Sequence, residues 1–152
     1  MGGPLDGSSC QVLVGGDLLD AGHATVTYAA SVADFIAARR WDYQCLHFGS
    51  LLMTQAAELD QASLGFLQAR LAQALATTGW PGSRQYRFER RDVRVMLWSS
   101  SRQCDWWISA STGPSLKAFA AELLGLSNLR SALFSNDDTG ARVLDQFARA
   151  PR

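Results

Sequence analysis

The sequence predicts an α+β fold, in which a mainly antiparallel β-sheet has helices packed on one face. Short runs of alternating apolar and polar residues indicate strands, and longer runs with apolar residues three and four apart indicate helices. The runs follow the order β-β-α-(β)-α-β-β-β-α-α, a mixture that is typical of α+β folds. A chain of 152 residues suits a single domain, which we assign to residues 10–150 after a flexible leader at residues 1–9.

Composition and charge exclude several classes of protein. Apolar residues make up 47% and charged residues 18% of the chain, which argues against disorder throughout and against a coiled coil. The 14 acidic residues balance the 14 basic ones, so no large net charge attracts nucleic acid or an anionic membrane. No run reaches about 18 apolar residues, and the first ten residues lack the features of a secretory signal. We therefore expect a cytoplasmic protein without a membrane helix.

The first strands and the first helix are predicted within residues 11–40. Residues 11–14 and 23–28 are β-favouring runs that we expect to pair as a hairpin. Ser31 begins a helix, because Ser31 and Asp34 have the spacing of a capping box. The buried face of this helix is expected to contain Val32, Phe35 and Ile36, and its last turn is expected to contain Arg39 and Arg40.

A strand and a second helix are predicted next. Between Trp41 and Met53 we favour a strand, because Tyr43, Cys45 and His47 alternate with Gln44, Leu46 and Phe48, although the segment suits a helix equally. Asp60 begins the clearest helix of the chain, which runs to about Thr78 and stops at Gly79. The apolar stripe of this helix consists of Leu64, Leu67, Leu71, Ala74 and Leu75.

Three consecutive strands are predicted in a meander over residues 86–109, and the alternation of their side chains defines two different faces. One face is uniformly apolar or aromatic and must be core. It contains Tyr86, Phe88, Val93, Val95, Leu97, Cys104, Trp106 and Ile108. The other face, which we call the outer face, mixes charges with two tryptophans and a methionine. It contains Arg87, Glu89, Arg94, Met96, Trp98, Asp105 and Trp107.

The chain is predicted to end in helices. Pro114 suits the first turn of a helix, where its missing N–H costs nothing. The apolar face of that helix is expected to contain Leu116, Phe119, Ala120, Leu123 and Leu124. Residues 126–134 suit a short helical turn, and Asp137 or Asp138 caps a last helix. Val143, Leu144 and Phe147 of the last helix are expected to pack inward.

The two signs of charge are unevenly distributed along the chain. Residues 1–60 have a net charge of −5 and residues 61–104 a net charge of +5. The basic half includes Arg84, Arg87, Arg90, Arg91, Arg94 and Arg102. These arginines are either solvated residues at strand edges and turns, or a basic patch that meets an acidic partner.

The outer face of the meander is the predicted partner-binding surface. Tryptophan, methionine and arginine are enriched where proteins bind one another. The residues assigned to this surface are Arg87, Arg94, Met96, Trp98, Asp105 and Trp107. The alternative is that another element covers this face and that both tryptophans belong to the core.

Two other functions remain open. A small enzyme would use Cys45 with His47, or a pair among the carboxylates Asp42, Glu58 and Asp60. A nucleic-acid binder would use the strands where arginines alternate with aromatic residues, against a net charge of zero. We expect no metal or other cofactor, because the few soft ligands lack the close spacing of a zinc site. Those ligands are Cys10, His23, Cys45, His47 and Cys104.

By elimination, the sequence favours a non-catalytic cytoplasmic protein that binds one protein partner. We expect that partner to be acidic or to be a toxin domain. Small, motif-free α+β proteins that carry tryptophans are typical of bacterial immunity proteins, which neutralise a toxin by stoichiometric binding. The chain resembles that class in general character only.

Overall fold

The computed structural model describes residues 11–14, 26–56, 58–78, 83–123, 134–135 and 137–148, and it confirms the predicted α+β fold. The helices are α1 (Val32–Leu46), α2 (Gln61–Arg70), α3 (Gly113–Leu123) and α4 (Asp138–Ala148). The strands are β1 (Val12–Val14), β2 (Val26–Ala29), β3 (Ser50–Ala56), β4 (Ala72–Gln73), β5 (Thr77–Thr78), β6 (Arg84–Glu89), β7 (Val93–Ser99) and β8 (Cys104–Ala110).

Two antiparallel sheets form from these strands. The larger sheet has the order β3-β8-β7-β6-β4, and β5 pairs with β6 beside β4. The predicted meander is its centre, since β6, β7 and β8 are consecutive neighbours. The smaller sheet consists of β1 and β2, which pair antiparallel as expected.

Three helices pack on one face of the larger sheet, as predicted. The core between them contains the apolar meander residues, all of them fully buried except the half-buried Tyr86. Helices α2, α3 and α4 contribute Leu67, Phe119 and Val143 to this core. The fourth helix, α1, lies on the opposite face, where the Sγ atom of Cys45 is 3.5 Å from the Oγ atom of Ser109 on β8.

Residues 41–46 belong to helix α1, so the strand favoured for Trp41–Met53 is wrong in its first half. The strand in this region, β3, begins only at Ser50. Ala38, Asp42 and Cys45 are the buried residues of α1, and their spacing of four and three places them on one helical face. The helix continues as far as Leu46 because no helix-breaking residue occurs before Gly49. A Cβ atom at Gly49 would overlap the carbonyl oxygen of Ala110, and its φ of +155° favours glycine.

The buried face predicted for α1 is wrong at two of its three residues. Val32 and Ile36 are exposed, and Phe35 is half-buried. Arg39 and Arg40 lie in the middle of the helix rather than in its last turn, because the helix extends to Leu46. Phe35 does contact the fold, with its ring 5.5 Å from that of Tyr28, but the fully buried residues of the helix are small or polar and lie farther along the chain.

Helix α2 ends at Arg70 instead of continuing to about Thr78. Leu71 is extended, with φ −131° and ψ 146°, and the chain then pairs with β6. The edge of β6 carries unpaired backbone groups, and satisfying them outweighs the helical preference of residues 71–78. Of the predicted apolar stripe, Leu67 and Leu71 are buried, whereas Leu75 is exposed.

The predicted helix starts are confirmed. The Ser31 hydroxyl accepts a hydrogen bond from the backbone N–H of Asp34 at 3.0 Å. Asp60 caps α2, Pro114 lies in the first turn of α3, and the Asp137 carboxylate accepts from two backbone N–H groups at the start of α4. The predicted leader at residues 1–9, the strand start at residues 23–25 and nearly all of the turn at residues 126–134 lie outside the described residues. No helix in the described ranges is long and apolar enough to cross a bilayer.

The buried aromatic side chains should dominate stability. Trp106→Ala and Phe119→Ala each remove a side chain that is at most 1% exposed, and each should lower the free energy of unfolding by about 3–5 kcal/mol. Ile36→Ala, at a position that is 59% exposed, is the matched control. Urea titration followed by circular dichroism measures all three variants. A midpoint for either aromatic variant equal to that of Ile36→Ala would contradict this assignment of the core.

Candidate protein interface

Helix α1 divides the outer face of the meander into a covered part and an open part. Trp41 Nε1 donates to the Glu89 carboxylate on β6 at 2.9 Å, and Cys45 contacts Ser109 on β8. Met96, in the middle of β7, is buried. The alternative expectation, that another element covers this face, therefore holds for the part of it that lies beneath α1.

A buried ion pair connects α1 to the sheet. The Arg87 guanidinium, which is 0% exposed, donates from Nε to Asp42 Oδ1 at 2.7 Å and from Nη2 to Asp42 Oδ2 at 3.0 Å. This is the bidentate geometry that makes arginine–carboxylate pairs strong. The exposed Arg39 adds a weaker contact to the same carboxylate at 3.5 Å.

The remaining donors of Arg87 are also satisfied, by groups from three other segments. Nη1 donates to the carbonyl oxygen of Leu75 at 3.1 Å and to the Thr77 hydroxyl at 3.0 Å. Nη2 also donates to the Gln85 side-chain oxygen at 3.0 Å, which in turn accepts from the Tyr28 hydroxyl at 2.8 Å. We call this set the Arg87 network; its members are Tyr28, Asp42, Leu75, Thr77, Gln85 and Arg87.

The Arg87 network corrects the expectation that Arg87 is an exposed arginine on a binding surface. A buried guanidinium is stable only when its charge and its five donors have partners, and here they do. Arg87 therefore cannot steer a partner through solvent. Asp42 was the residue that sequence analysis missed in this role. The available signal was its position in the series Ala38, Asp42 and Cys45, which marks a small, close-packing helical face.

Arg94 is partly engaged within the molecule. Its Nε atom lies 3.4 Å from the Glu89 carboxylate, and its guanidinium lies 4.6 Å from the centre of the Phe48 ring. Gln44 on α1 adds a long hydrogen bond of 3.5 Å. Arg94 is half-buried, so part of its charge remains accessible.

Three of the predicted site residues remain together on the open part of the outer face. We call Trp98, Asp105 and Trp107 the tryptophan patch; each is half-buried. Trp98 is paired with Asp105 across β7 and β8, and Trp107 is its diagonal neighbour, within reach of an aromatic side chain. Trp98 Nε1 donates to the Ser83 hydroxyl at 3.3 Å, and Asp105 accepts from Gln103 at 2.7 Å. These bonds restrict the side chains of Trp98 and Asp105 on the sheet.

The structure does not bring Cys45 and His47 together. Two residues apart on a helix, they point in nearly opposite directions. Cys45 is fully buried, whereas His47 is exposed and stacks on the Tyr43 ring at 4.2 Å between centroids. Burial raises the pKa of the Cys45 thiol to about 11 and that of the Cys104 thiol to about 12, so both are protonated at neutral pH. A protonated thiol is a poor nucleophile.

The arginines of the basic half do not form one surface. Arg90 pairs with Asp92 at 2.9 Å, and the Arg84 guanidinium lies over the Tyr86 ring. With Arg87 buried, the exposed arginines of this half are Arg84, Arg91, Arg102 and Arg70, the last of which pairs with Glu122. Among the residues that the structure describes, no three His, Cys, Asp or Glu side chains are arranged to hold a metal ion.

The chain matches no protein-family profile, no curated protein and no solved structure.

The Arg87 network predicts a strong coupling between Asp42 and Arg87. Asp42→Asn leaves a buried guanidinium without its carboxylate, and Arg87→Met leaves a buried carboxylate without its cation. Each should cost about 3–5 kcal/mol, and the double variant should cost clearly less than their sum. Urea unfolding of the four proteins measures the coupling.

The matched control is the exposed pair between Arg70 and Glu122, which has the same 2.7 Å separation. Glu122→Gln should cost only about 0–1 kcal/mol, because this pair is solvated. Additive costs at Asp42 and Arg87 would show that the two side chains do not act as a pair.

The buried thiols should resist alkylation in the folded protein. With a pKa of about 11, the thiolate fraction of Cys45 at pH 8 is on the order of one in a thousand. Iodoacetamide followed by peptide mass spectrometry should show Cys45 and Cys104 unmodified under native conditions and modified in urea. Rapid native alkylation of Cys45 would contradict the burial described here and would restore a nucleophilic role.

Proposed function

We propose that this protein is a non-catalytic, cytoplasmic binding module that holds one protein partner through the tryptophan patch. The observation that carries the proposal is the pair of half-buried tryptophans, Trp98 and Trp107, side by side on the open part of the outer face. Large aromatic side chains that are partly accessible on a rigid surface are the usual anchors of protein interfaces.

The construction of the sheet supports this proposal. The strands that carry the patch have their other face packed into the core, where Leu97, Trp106 and Ile108 are at most 1% exposed. A partner that covers the patch therefore meets a surface that is already ordered, and binding costs little conformational entropy. Asp105 adds a charged group that would favour one orientation of the partner.

The kind of partner is a further part of the proposal. A stoichiometric inhibitor needs a rigid, preorganised surface and no catalytic groups, which is the general character of a bacterial immunity protein. We propose a toxin domain as the partner on that likeness of character.

The test begins with affinity capture of the partner from cells in which the protein occurs naturally, followed by titration calorimetry of the purified pair. Trp107→Ala should weaken binding by about thirtyfold, since truncating a central tryptophan commonly costs 2 kcal/mol or more. Circular dichroism should show that the fold persists.

Phe134→Ala is the control for an exposed aromatic residue elsewhere. Phe134 is 46% exposed and precedes α4, which packs on the other face of the sheet. If Trp107→Ala and Trp98→Ala bind the captured partner as tightly as Phe134→Ala does, the tryptophan patch is not the interface.

A further inference from the structure

Helix α1 presents an apolar stripe to solvent along one flank, next to the side that packs on the sheet. Ile36 is 59% and Tyr43 65% exposed, and Val32 and Leu46 are each 39% exposed. Residues at these positions lie within one quadrant of a helix that has 3.6 residues per turn. We define the α1 stripe as Val32, Ile36, Arg39, Arg40, Tyr43 and Leu46.

This stripe is not required for the fold. The residues of α1 that are buried against the sheet are Ala38, Asp42 and Cys45, and they lie about a third of a turn around the helix from the stripe. A helix usually buries its large apolar side chains and exposes its small or polar ones. In α1 the fully buried residues are instead small or polar, and the large aromatic residues Phe35 and Trp41 are only half-buried beside them. The large apolar side chains of the stripe therefore point to a contact outside the monomer.

The charges on the α1 stripe are all of one sign. Arg39 and Arg40 lie at the centre of the helix, with apolar residues on both sides of them. The acidic residues of α1 lie elsewhere: Asp42 is buried and Asp34 is half-buried near the start of the helix. The complementary surface must therefore carry carboxylates at its centre and apolar side chains one turn to either side.

A second copy of this chain does not fit that requirement. In a twofold pairing of α1 with itself, parallel or antiparallel, the centre of the helix meets the centre of its mate. Arg39 and Arg40 would then face two more arginines, which repel them.

A membrane surface fits the α1 stripe less well than a protein does. Each basic residue near an anionic bilayer contributes about 1 kcal/mol, and stable attachment by charge uses clusters of at least four. The stripe carries two arginines on a chain with no net charge. The observations therefore favour a protein partner.

We propose that the α1 stripe binds an acidic amphipathic helix of a partner protein. The stripe runs from Val32 to Leu46, a length of about 21 Å, which a partner helix of about 14 residues matches. When two helices pack together, the side chains of one can interdigitate with those of the other along that length. This inference rests on the proposed function, because both require a protein partner, and it adds the chemistry of that partner.

The experiment selects binders from a phage-displayed library of helical peptides with randomised outward positions, using the full chain as bait. Enriched peptides should have Asp or Glu at the centre of an apolar stripe. The double variant Arg39→Gln/Arg40→Glu should weaken their binding by about tenfold or more, and Ile36→Gln should weaken it to a similar degree. Position 39 is changed to glutamine rather than glutamate because Arg39 lies 3.5 Å from the Asp42 carboxylate, which a second carboxylate would repel.

The matched control is Arg91→Gln/Arg102→Glu, which makes the same change in net charge at two exposed arginines in turns. Its peptide affinity should stay within about twofold of the parent chain, as expected for distant surface charges. The inference is overturned if no peptides are enriched, if the enriched peptides are not acidic, or if both double variants bind equally well.

Two further measurements decide against the other occupants. Sedimentation of the wild-type chain should show a monomer; a dimer that the α1 double variant dissociates would overturn the inference in favour of a second copy. Flotation with phosphatidylcholine vesicles containing phosphatidylserine should show no binding; binding that the same variant abolishes would assign the stripe to a membrane.

The failure of this inference is distinguishable from that of the proposed function. Trp107→Ala alters the tryptophan patch and leaves α1 unchanged. A captured partner that depends on Trp107 and ignores the α1 substitutions overturns the inference alone. Acidic peptides that bind α1, with a partner that ignores Trp107, overturn the tryptophan patch alone.

Discussion

The ion pair between Arg87 and Asp42 is the interaction on which the arrangement of the outer face depends. A guanidinium with no exposed surface is tolerated only if a carboxylate and further acceptors surround it. In this protein those acceptors come from different segments of the chain. They are Asp42 of α1, the carbonyl oxygen of Leu75, Thr77 of β5 and the side-chain oxygen of Gln85. The hydroxyl of Tyr28 on β2 donates to the same Gln85 oxygen. Moving any of these segments would leave a buried charge or donor unsatisfied. The network therefore specifies where they lie, whatever net stability it contributes.

The same requirement gives the two faces of the sheet different kinds of packing. On the core face, apolar side chains from β6, β7 and β8 pack against three helices, which is non-directional and tolerant of small shifts. On the outer face, α1 is positioned by directional bonds through Asp42 and Trp41. The fully buried residues of this helix are small or polar, and its larger aromatic side chains near the sheet, Phe35 and Trp41, are half-buried. Its exposed side carries Ile36 and Tyr43, and the end of the sheet beyond it remains partly open at Trp98 and Trp107.

Both candidate contact surfaces lie on the side of the sheet to which α1 packs. The tryptophan patch is flat and mixed in polarity, whereas the α1 stripe is linear, apolar and basic. Their backing is rigid, because the core beneath the sheet is fully packed and the helix is fastened to the sheet by buried hydrogen bonds. Binding on either surface would thus require little rearrangement of the chain. The thiols of Cys45 and Cys104 are buried in this packing and protonated at neutral pH, which makes them poor nucleophiles.

The sequence by itself determined the α+β class, the meander with its apolar face, and the starts of the helices at Ser31, Asp60 and Pro114. These features depend on local periodicity and on capping chemistry, both of which are written within a few residues. Only the tertiary structure decided that residues 72–73 and 77–78 form edge strands, since that depends on the unpaired backbone of β6. It likewise decided that Arg87 is buried, because its partner Asp42 lies 45 residues away in the chain. A long-range polar contact leaves no periodic signal in the sequence. The sequence therefore placed Arg87 on an exposed surface and did not indicate the face of α1 that contains Ala38, Asp42 and Cys45.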